Sequence, residues 1–158
     1  MEIFEPSNKR EASSQLIWFL VWLGVTSVAL YLTPNASGHG THQQLGMPPC
    51  PSVLMFSRPC PGCGLTTSWT AFVHGQFGMA FKAHPLGPIF YMLFSAGALV
   101  GFYGWLKHLR FRADAAWANR GVTAFVVIFL GFGFLRMLLT PDFAMPSEQW
   151  LGNFVSGK

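Results

Sequence analysis

The residues of this chain best suited to chemistry are its three cysteines, Cys50, Cys60 and Cys63. Cys60 and Cys63 belong to the stretch 59–64, PCPGCG, in which two residues separate the thiols. A turn of the form C-x-x-C brings two sulfur atoms together, so such a pair can bind a metal ion, exchange disulfides or close a structural disulfide. Each of these uses makes different demands on the rest of the sequence.

A metal site is the first interpretation of the cysteines. A closed tetrahedral site needs four ligands, and the C-x-x-C turn supplies two of them. Cys50 can be the third ligand and a histidine the fourth, chosen among His39, His42, His74 and His84. Thiolate and imidazole ligands suit zinc, copper(I) or iron, and a zinc or copper ion is the cofactor we expect. The metal ligands that we predict are Cys50, Cys60, Cys63, His42 and His39.

Redox exchange and a structural disulfide are the other two interpretations. Cys63 precedes a predicted helix, whose N-terminus stabilises a thiolate and so favours disulfide exchange. The chain has no thioredoxin-like βαβ pattern to support a catalytic pair. A structural disulfide would join Cys60 to Cys63, or Cys50 to either of them, and would leave one of the three cysteines unpaired. All three interpretations remain open from the sequence alone.

The composition of the chain indicates an integral membrane protein. Of its 158 residues, 51% are hydrophobic and only 10% are charged, whereas about a quarter of the residues of a soluble domain are charged. The formal net charge of +4 is small, and nothing in the chain requires a nucleic acid partner. We therefore expect one membrane domain that spans residues 1–158, with the lipid bilayer as its surroundings.

Three apolar segments are long enough to cross a bilayer, which takes about 20 helical residues with about 17 as the lower limit. They are residues 16–32, 86–106 and 122–139. Because a backbone in lipid must satisfy its own hydrogen bonds, each is predicted to be a helix. The first could instead be a signal peptide, but its flanking glutamates, its length and the lack of an A-x-A site favour a retained anchor. The predicted fold class is an all-α integral membrane protein with three transmembrane helices.

The distribution of basic residues predicts the orientation of these helices. The connection 107–121 carries Lys107, Arg110, Arg112 and Arg120, and short basic connections stay in the cytoplasm. Three crossings then place the N-terminus in the cytoplasm as well, with the loop of residues 33–64 and the tail of residues 140–158 on the exoplasmic side. On that side the thiols meet oxidising conditions.

The segment between the first two spans has two predicted parts. Residues 33–64 form an exoplasmic loop rich in Cys, Pro and Gly, in which Pro48, Pro49 and Pro51 argue against a regular helix. In residues 65–81, apolar side chains recur at helical spacing with polar ones between them, which predicts an amphipathic helix lying in the membrane interface.

These residues resemble a known family. The stretch 60–66, CPGCGLT, followed by Gly75, the Ala80-Phe81 pair and Pro85-Leu86, is similar to the small bacterial membrane proteins of domain-of-unknown-function family 2752. That family carries a CPGCG-T-R signature, then a G-D-[FW]-x-x-A-[FW]-x-x-N-P-L pattern. The resemblance covers roughly residues 45 to 140 and implies two or three membrane helices in a bacterial inner membrane. The chain departs from the pattern at Thr67, Gln76 and His84.

The family resemblance also implies an arginine late in the last span, and Arg136 stands there. Its guanidinium can reach the lipid headgroups, or it can donate to carbonyls of the Cys loop or to Asp142. The residues that we expect to brace the Cys loop are Arg136, Gly62, Gly64 and Thr66.

The function classes that remain are few. The chain has no paired carboxylates, nucleophile and base set or phosphate loop, so we expect neither an enzyme nor a transporter. The first hypothesis is a small auxiliary subunit that docks on a larger membrane complex through its apolar helices and its CPGCG loop. The alternative is a membrane metal-binding or thiol-redox protein that uses Cys50, Cys60 and Cys63.

Overall fold

The computed structural model of the chain describes residues 4–6, 13–111 and 116–156. Its α-helices are α1 (Ser13–Tyr31), α2 (Pro51–Phe56), α3 (Leu65–Val73), α4 (Phe77–Ala83), α5 (Gly87–Leu106), α6 (Ala116–Leu139) and α7 (Pro146–Ser156), and a 3-10 helix covers Thr41–Leu45. Two short strands complete the described elements: β1 (Phe4–Pro6) and β2 (Leu109–Phe111).

Among the described residues, three helices are long and apolar enough to cross a membrane: α1, α5 and the Asn119–Leu139 part of α6. Most side chains of α1 and of this part of α6 are exposed in the isolated chain, as expected for helices that contact lipid. The prediction of an all-α protein with three spanning helices is confirmed, and the chain is a multi-pass membrane protein.

The strands β1 and β2 pair antiparallel, with Glu5 opposite Arg110. This pairing was not predicted, because three-residue strands carry too little pattern to be recognised. It places residues 4–6 beside residues 109–111, which follow the end of α5. Arg112, which entered the orientation argument, lies outside the described residues, as do Lys9 and Arg10 of the N-terminal segment.

Helices α1 and α5 form the best-packed pair of spans. The Trp22 indole N–H donates to the Ser95 hydroxyl at 2.8 Å, and the hydroxyls of Thr26 and Tyr91 lie 2.9 Å apart. At the other end of the α1–α5 interface, the rings of Phe19 and Phe102 stack with their centroids 4.2 Å apart. Polar side chains within the spans therefore satisfy one another across this interface, as lipid requires.

Residues 65–81 were predicted as one helix, but the structure has two, α3 and α4. Gly75, two residues after the end of α3, has a φ of +73°. Glycine adopts this left-handed conformation without steric cost, and it prevents α3 from continuing. The buried face of α3 also differs from the expected apolar one. It consists of small residues: Thr67, Ser68, Thr70 and Ala71. Small side chains allow α3 to pack closely on the start of α5, where the Trp69 indole N–H donates to the Gly87 carbonyl at 3.0 Å.

Helix α6 contacts the other helices through aromatic rings. Phe90 of α5 packs against Phe125 and Phe129, with ring centroids 5.0 and 6.0 Å apart. Toward the start of α6 a crevice of about 530 Å³ separates it from α1 and α5, and Trp18, Trp69 and Phe94 are among its lining residues. The side chains of this crevice are largely apolar.

The loop of residues 33–64 is more regular than predicted. Pro51 was expected to prevent a helix, yet it begins α2, because a proline in the first helical turn loses no hydrogen bond. The tail after α6 also contains a helix, α7, which packs against α2. These two short helices flank the cysteines.

Candidate metal centre

The CPGCG stretch forms a tight turn that leads into α3. The Cys63 N–H donates to the Cys60 carbonyl at 3.0 Å, and the Leu65 N–H donates to the Gly62 carbonyl at 3.0 Å. Gly64 has a φ of +84° and immediately precedes α3. A Cβ at Gly64 would collide with the backbone carbonyl oxygens of Ala83 and Gly38. Only glycine fits at this position.

The turn brings all three thiols together. The sulfur atoms of Cys50, Cys60 and Cys63 all lie within 4.8 Å of one another. Two thiolates on one tetrahedral zinc ion are about 3.8 Å apart, given a Zn–S distance of about 2.3 Å. The three sulfurs are therefore already close to the spacing that a shared metal ion imposes.

The structure does not support the predicted disulfide. All three cysteines are free, and the Sγ atoms of Cys60 and Cys63 are 3.3 Å apart, whereas an S–S bond measures about 2.05 Å. The two sulfurs are in hydrogen-bond contact instead.

Hydrogen bonding separates the acidities of the two thiols. The hydrogen bond shared with Cys63 lowers the pKa of Cys60 to about 5, against the opposing effect of burial, and Cys50 and the backbone N–H groups of Gly62 and Cys63 contribute further. The same contact with Cys60, together with burial, raises the pKa of Cys63. The pair therefore loses its first proton easily and its second with difficulty, and the remaining proton lies on Cys63.

Cys50 reaches the cluster from the other side. It immediately precedes α2, and its carbonyl accepts from the N–H groups of Val53 and Leu54 at 3.0 and 3.1 Å. Val53, Cys63 and Ala144 form a small buried core against which Cys50, Cys60 and Phe143 pack. Residues of α2, the CPGCG turn and the segment before α7 thus fix the three thiols together.

A cavity of about 390 Å³ opens beside the sulfurs. The residues that line it include Cys50, Cys60, Cys63, His39, His42, Thr66 and Glu148. The structure therefore brings both of the predicted ligand histidines to the cavity of the cysteines. No histidine in the described part of the chain joins the group of atoms that lie within 4.8 Å of one another.

His39 is held by an acidic residue that sequence analysis missed. Its Nε2 atom lies 2.8 Å from an Oε atom of Glu148, and its ring lies over Phe143 with centroids 4.4 Å apart. Both partners are buried, with His39 4% and Glu148 2% exposed. The Nδ1 atom of His39 is buried and has no hydrogen-bond partner.

Glu148 also accepts from the Gln43 amide at 2.8 Å and from the Met145 N–H at 2.9 Å. Burial opposes its ionisation, but these donors together with His39 lower the pKa of Glu148. Glu148 is the third residue of α7, and its bond to the N–H just before that helix is one half of a capping box. A Glu three residues after a possible helix cap could have been noticed in the sequence. It would have predicted the start of α7 but not the contact with His39.

The other histidines are placed differently. His42 lines the cavity and is half-buried. His74 donates from Nδ1 to the Thr70 carbonyl at 2.8 Å, within its own helix end. His84 is fully buried, and its Nε2 donates to the Pro61 carbonyl at 3.1 Å while its ring packs near Phe129 of α6. His74 and His84 thus each have one structural partner away from the sulfurs, while the Nδ1 atom of His84 is buried without a hydrogen-bond partner.

Two arginines connect α6 to the Cys loop. Arg136 donates to the carbonyls of Cys63 and Ala83 at 2.9 and 3.0 Å. Its guanidinium carbon also lies 5.3 Å from the ring centroid of Phe143. Arg58, which sequence analysis did not single out, donates to the carbonyls of Met137 and Leu138 at the end of α6.

The remaining residues expected to brace the loop take different places. Gly62 is exposed and has open space where a Cβ would stand. Thr66 is exposed at the cavity, while its neighbour Thr67 is buried, with its hydroxyl 2.8 Å from that of Thr41. Thr67 therefore joins the start of α3 to the loop that carries His39.

Comparison with known families gives one match. Residues 50–97 match the model of a family described as a protein of unknown function, DUF2752. This match confirms the family resemblance over residues 50–97, a shorter range than the expected 45 to 140. It covers the three cysteines, α2, α3, α4 and the first half of α5. Neither the curated proteins nor the solved structures gave a match. His39, Arg136 and Glu148 lie outside the matched residues.

Proposed function

We propose that this protein is a membrane metal-binding protein whose Cys50, Cys60 and Cys63 hold one zinc or copper(I) ion. The observation that carries the proposal is the convergence of three sulfur atoms within 4.8 Å of one another. Thiolate sulfur is the ligand that zinc and copper(I) prefer in proteins.

The electrostatics around the sulfurs support the same proposal. A metal ion binds thiolates, so it competes with protons for each thiol. The lowered pKa of Cys60 makes the first thiolate available at neutral pH. Three thiolates give a metal site excess negative charge. The Arg136 guanidinium, which donates a hydrogen bond to the Cys63 carbonyl, places a positive charge beside them.

Metal analysis of the purified, reduced protein tests this function. We expect about one equivalent of zinc or copper per chain after reconstitution, and its loss in the Cys60→Ser, Cys63→Ser double variant. His74→Gln is the matched control and should keep the metal. It removes a histidine whose Nδ1 bonds the Thr70 carbonyl at the end of α3. An intact, folded protein that takes up neither metal would refute the proposal.

Thiol exchange is the competing use of the same residues. The 3.3 Å contact between the sulfurs of Cys60 and Cys63 and the low pKa of Cys60 favour it, since a thiolate beside a second thiol can attack and resolve a disulfide. A protein that fails to bind metal but equilibrates between dithiol and disulfide in glutathione buffers would favour exchange over metal binding.

We further propose that the protein lies in a bacterial inner membrane with its N-terminus in the cytoplasm. The basic connection between α5 and α6 supports this orientation. The pairing of β1 with β2 supports it too, since it keeps the N-terminal segment beside that connection. The cysteines then lie on the exoplasmic side, where an incoming metal ion can reach them.

A second candidate function is that of an auxiliary subunit that docks on a larger membrane complex. The crevice of about 530 Å³ between α6 and the α1–α5 pair favours it, because an apolar helix of a partner subunit could complete the packing there. Val122 lines this crevice, whereas Val127, equally exposed, does not.

Photo-crosslinking distinguishes a partner helix from lipid. A crosslinker at position 122 should capture one defined polypeptide in the native membrane, and one at position 127 should capture it less. Capture of lipid alone from both positions, or migration of the chain alone after mild solubilisation, would refute the docking hypothesis.

A further inference from the structure

We propose that His39 is the fourth ligand, binding zinc through Nδ1 in a Cys3His site, and that Glu148 is the positioning residue that orients its ring. This inference rests on the proposed metal-binding function and adds the identity of the metal, the ligand atom and a role for α7. Two observations beyond the cysteines carry it: the unpartnered, buried Nδ1 atom of His39 and the buried carboxylate on its other nitrogen.

The tautomer of His39 follows from its partner. Glu148 accepts hydrogen bonds from the Gln43 amide and the Met145 N–H. These two donors favour its ionised form, which acts only as an acceptor. The Nε2 atom of His39 must therefore carry the proton that lies between them. In the neutral ring this leaves a lone pair on Nδ1, the form in which imidazole binds metal ions.

The orphan nitrogen needs an explanation of its own. A buried ring nitrogen with no partner costs roughly 1–3 kcal/mol, so such atoms are rare in folded proteins. The Nδ1 atom of His84 is also buried without a partner, but His84 does not line the cavity of the cysteines, whereas His39 does. A metal ion held by the thiolates would give Nδ1 its missing partner, and a carboxylate on the opposite nitrogen is the usual companion of a metal-bound histidine.

The charges of the site select zinc over copper(I). Three thiolates and a neutral imidazole leave a net charge of −1 on a Zn²⁺ site and −2 on a Cu⁺ site. A single guanidinium, that of Arg136, donates to the Cys63 carbonyl. It cancels the −1 charge of the zinc site but only half of the −2 charge of the copper(I) site, and the ionised Glu148 adds one further negative charge to either. The smaller residual charge favours zinc, and four ligands of the Cys3His type are a standard closed zinc site.

Binding should also couple the metal to α7. The Nδ1 atom is outside the group of mutually close ligand atoms, so loading must draw the His39 loop toward the sulfurs. Glu148 moves with it, because it bonds both His39 and Gln43 of the same loop. We therefore expect slower amide hydrogen exchange in residues 146–156 when zinc is added to wild-type protein.

Zinc affinity by chelator competition and the absorption of the Co²⁺-substituted protein test the assignment, on full-length protein in detergent. Loss of an outer-shell partner weakens metal binding by about 10- to 100-fold. His39→Ala removes a ligand, so it should weaken zinc binding at least as much. The thiolate-to-cobalt bands should remain while the ligand-field bands shift. His74→Ala is the matched control, since the His74 ring bonds the Thr70 carbonyl away from the cavity, and it should change neither. His42→Ala tests the competing histidine that lines the same cavity.

Glu148→Gln supplies a second measurement if His39→Ala folds poorly. It keeps an acceptor for the imidazole but removes the charge, so zinc binding should weaken by about 10-fold with the cobalt ligand set unchanged. It should also abolish the zinc-dependent protection of α7, which a merely structural role of Glu148 would not predict.

Three outcomes decide the matter. If His39→Ala binds zinc as tightly as wild type, or if His42→Ala alone produces the spectral change, the assignment of His39 is wrong while the proposed function stands. If wild-type protein binds neither zinc nor cobalt, the proposed function itself fails and the assignment fails with it. Weakening confined to the His39 and Glu148 variants supports the proposal.

Discussion

Gly64 is the residue on which the geometry of the Cys turn depends most directly. Its φ of +84° costs a residue with a side chain about 1–2 kcal/mol, and a Cβ would also strike backbone oxygens that cannot rotate away. We expect Gly64→Ala to lower the free energy of unfolding by more than about 2 kcal/mol. Denaturant unfolding in detergent measures this change.

Gly62 is the matched control for Gly64. It lies in the same turn, has no left-handed backbone and has open space for a Cβ. Gly62→Ala should therefore be neutral or stabilise by less than about 1 kcal/mol. Equal destabilisation by both substitutions would contradict the steric argument for Gly64.

His84 should make the stability of the protein depend on pH. Burial lowers its pKa, the Pro61 carbonyl that accepts from it opposes this, and the Arg136 charge lowers the pKa further. The unfolded chain, with a pKa of about 6.5, then binds more protons than the folded chain. The contribution of His84 is complete above about pH 6.5 and is lost as the pH falls through that value toward the lowered pKa.

The His84→Asn variant tests this dependence. Its unfolding midpoint should change less between pH 7.5 and 5 than that of wild type, because Asn does not titrate. His74→Asn, in which the replaced ring is exposed, is the control and should keep the acid sensitivity of wild type. An unchanged slope in His84→Asn would show that another group is responsible.

At the scale of the elements, the last turn of α6 is held by Arg58. Its guanidinium donates to the carbonyls of Met137 and Leu138 at 3.1 and 2.9 Å. These carbonyls have no partner within the helix, and a cation is favoured at a helix C-terminus. We expect Arg58→Gln to lower the free energy of unfolding by about 1 kcal/mol, as measured by denaturant unfolding.

Lys82→Gln provides the comparison for Arg58. It removes one positive charge from an exposed position at the end of α4, where no carbonyl of α6 is involved. Its effect should stay within about 0.5 kcal/mol. If the two variants lose equal stability, net charge rather than capping of α6 explains the result.

The elements also show how far the sequence could predict this fold. Length and apolarity are enough to locate α1, α5 and α6, because a lipid environment leaves few alternatives to a helix. Short elements depend on local detail: Gly75 divides the predicted interfacial helix, and Pro51 starts a helix rather than preventing one.

The candidate site was predictable only where its residues are close in the sequence. The spacing of Cys60 and Cys63 already implies proximity, and Cys50 is near in the sequence. Glu148, however, contacts His39 across 109 positions, and its only local signal is a helix cap. Contacts of that range depend on the packing of α7, which no periodicity in the sequence reveals.

The whole molecule has two chemically different ends. Pairing of β1 with β2 gathers the N-terminal segment and the α5–α6 connection at one end, while the Cys cluster lies beyond the opposite end of α6, where Arg58 and Arg136 bind. Basic connections remain in the cytoplasm, so we expect Met47, exposed beside the cluster, to face outward and Lys107 to face inward.

An impermeant maleimide tests this orientation with one added cysteine at a time. In intact cells, Met47→Cys should be labelled above the wild-type background, which the three native thiols define. Lys107→Cys should be labelled above that background only after lysis, because the membrane then no longer excludes the reagent. The opposite pattern would invert the protein and place the thiols in the reducing cytosol. Metal binding would remain possible there, but any disulfide exchange would have to work against the cytosolic thiol pool.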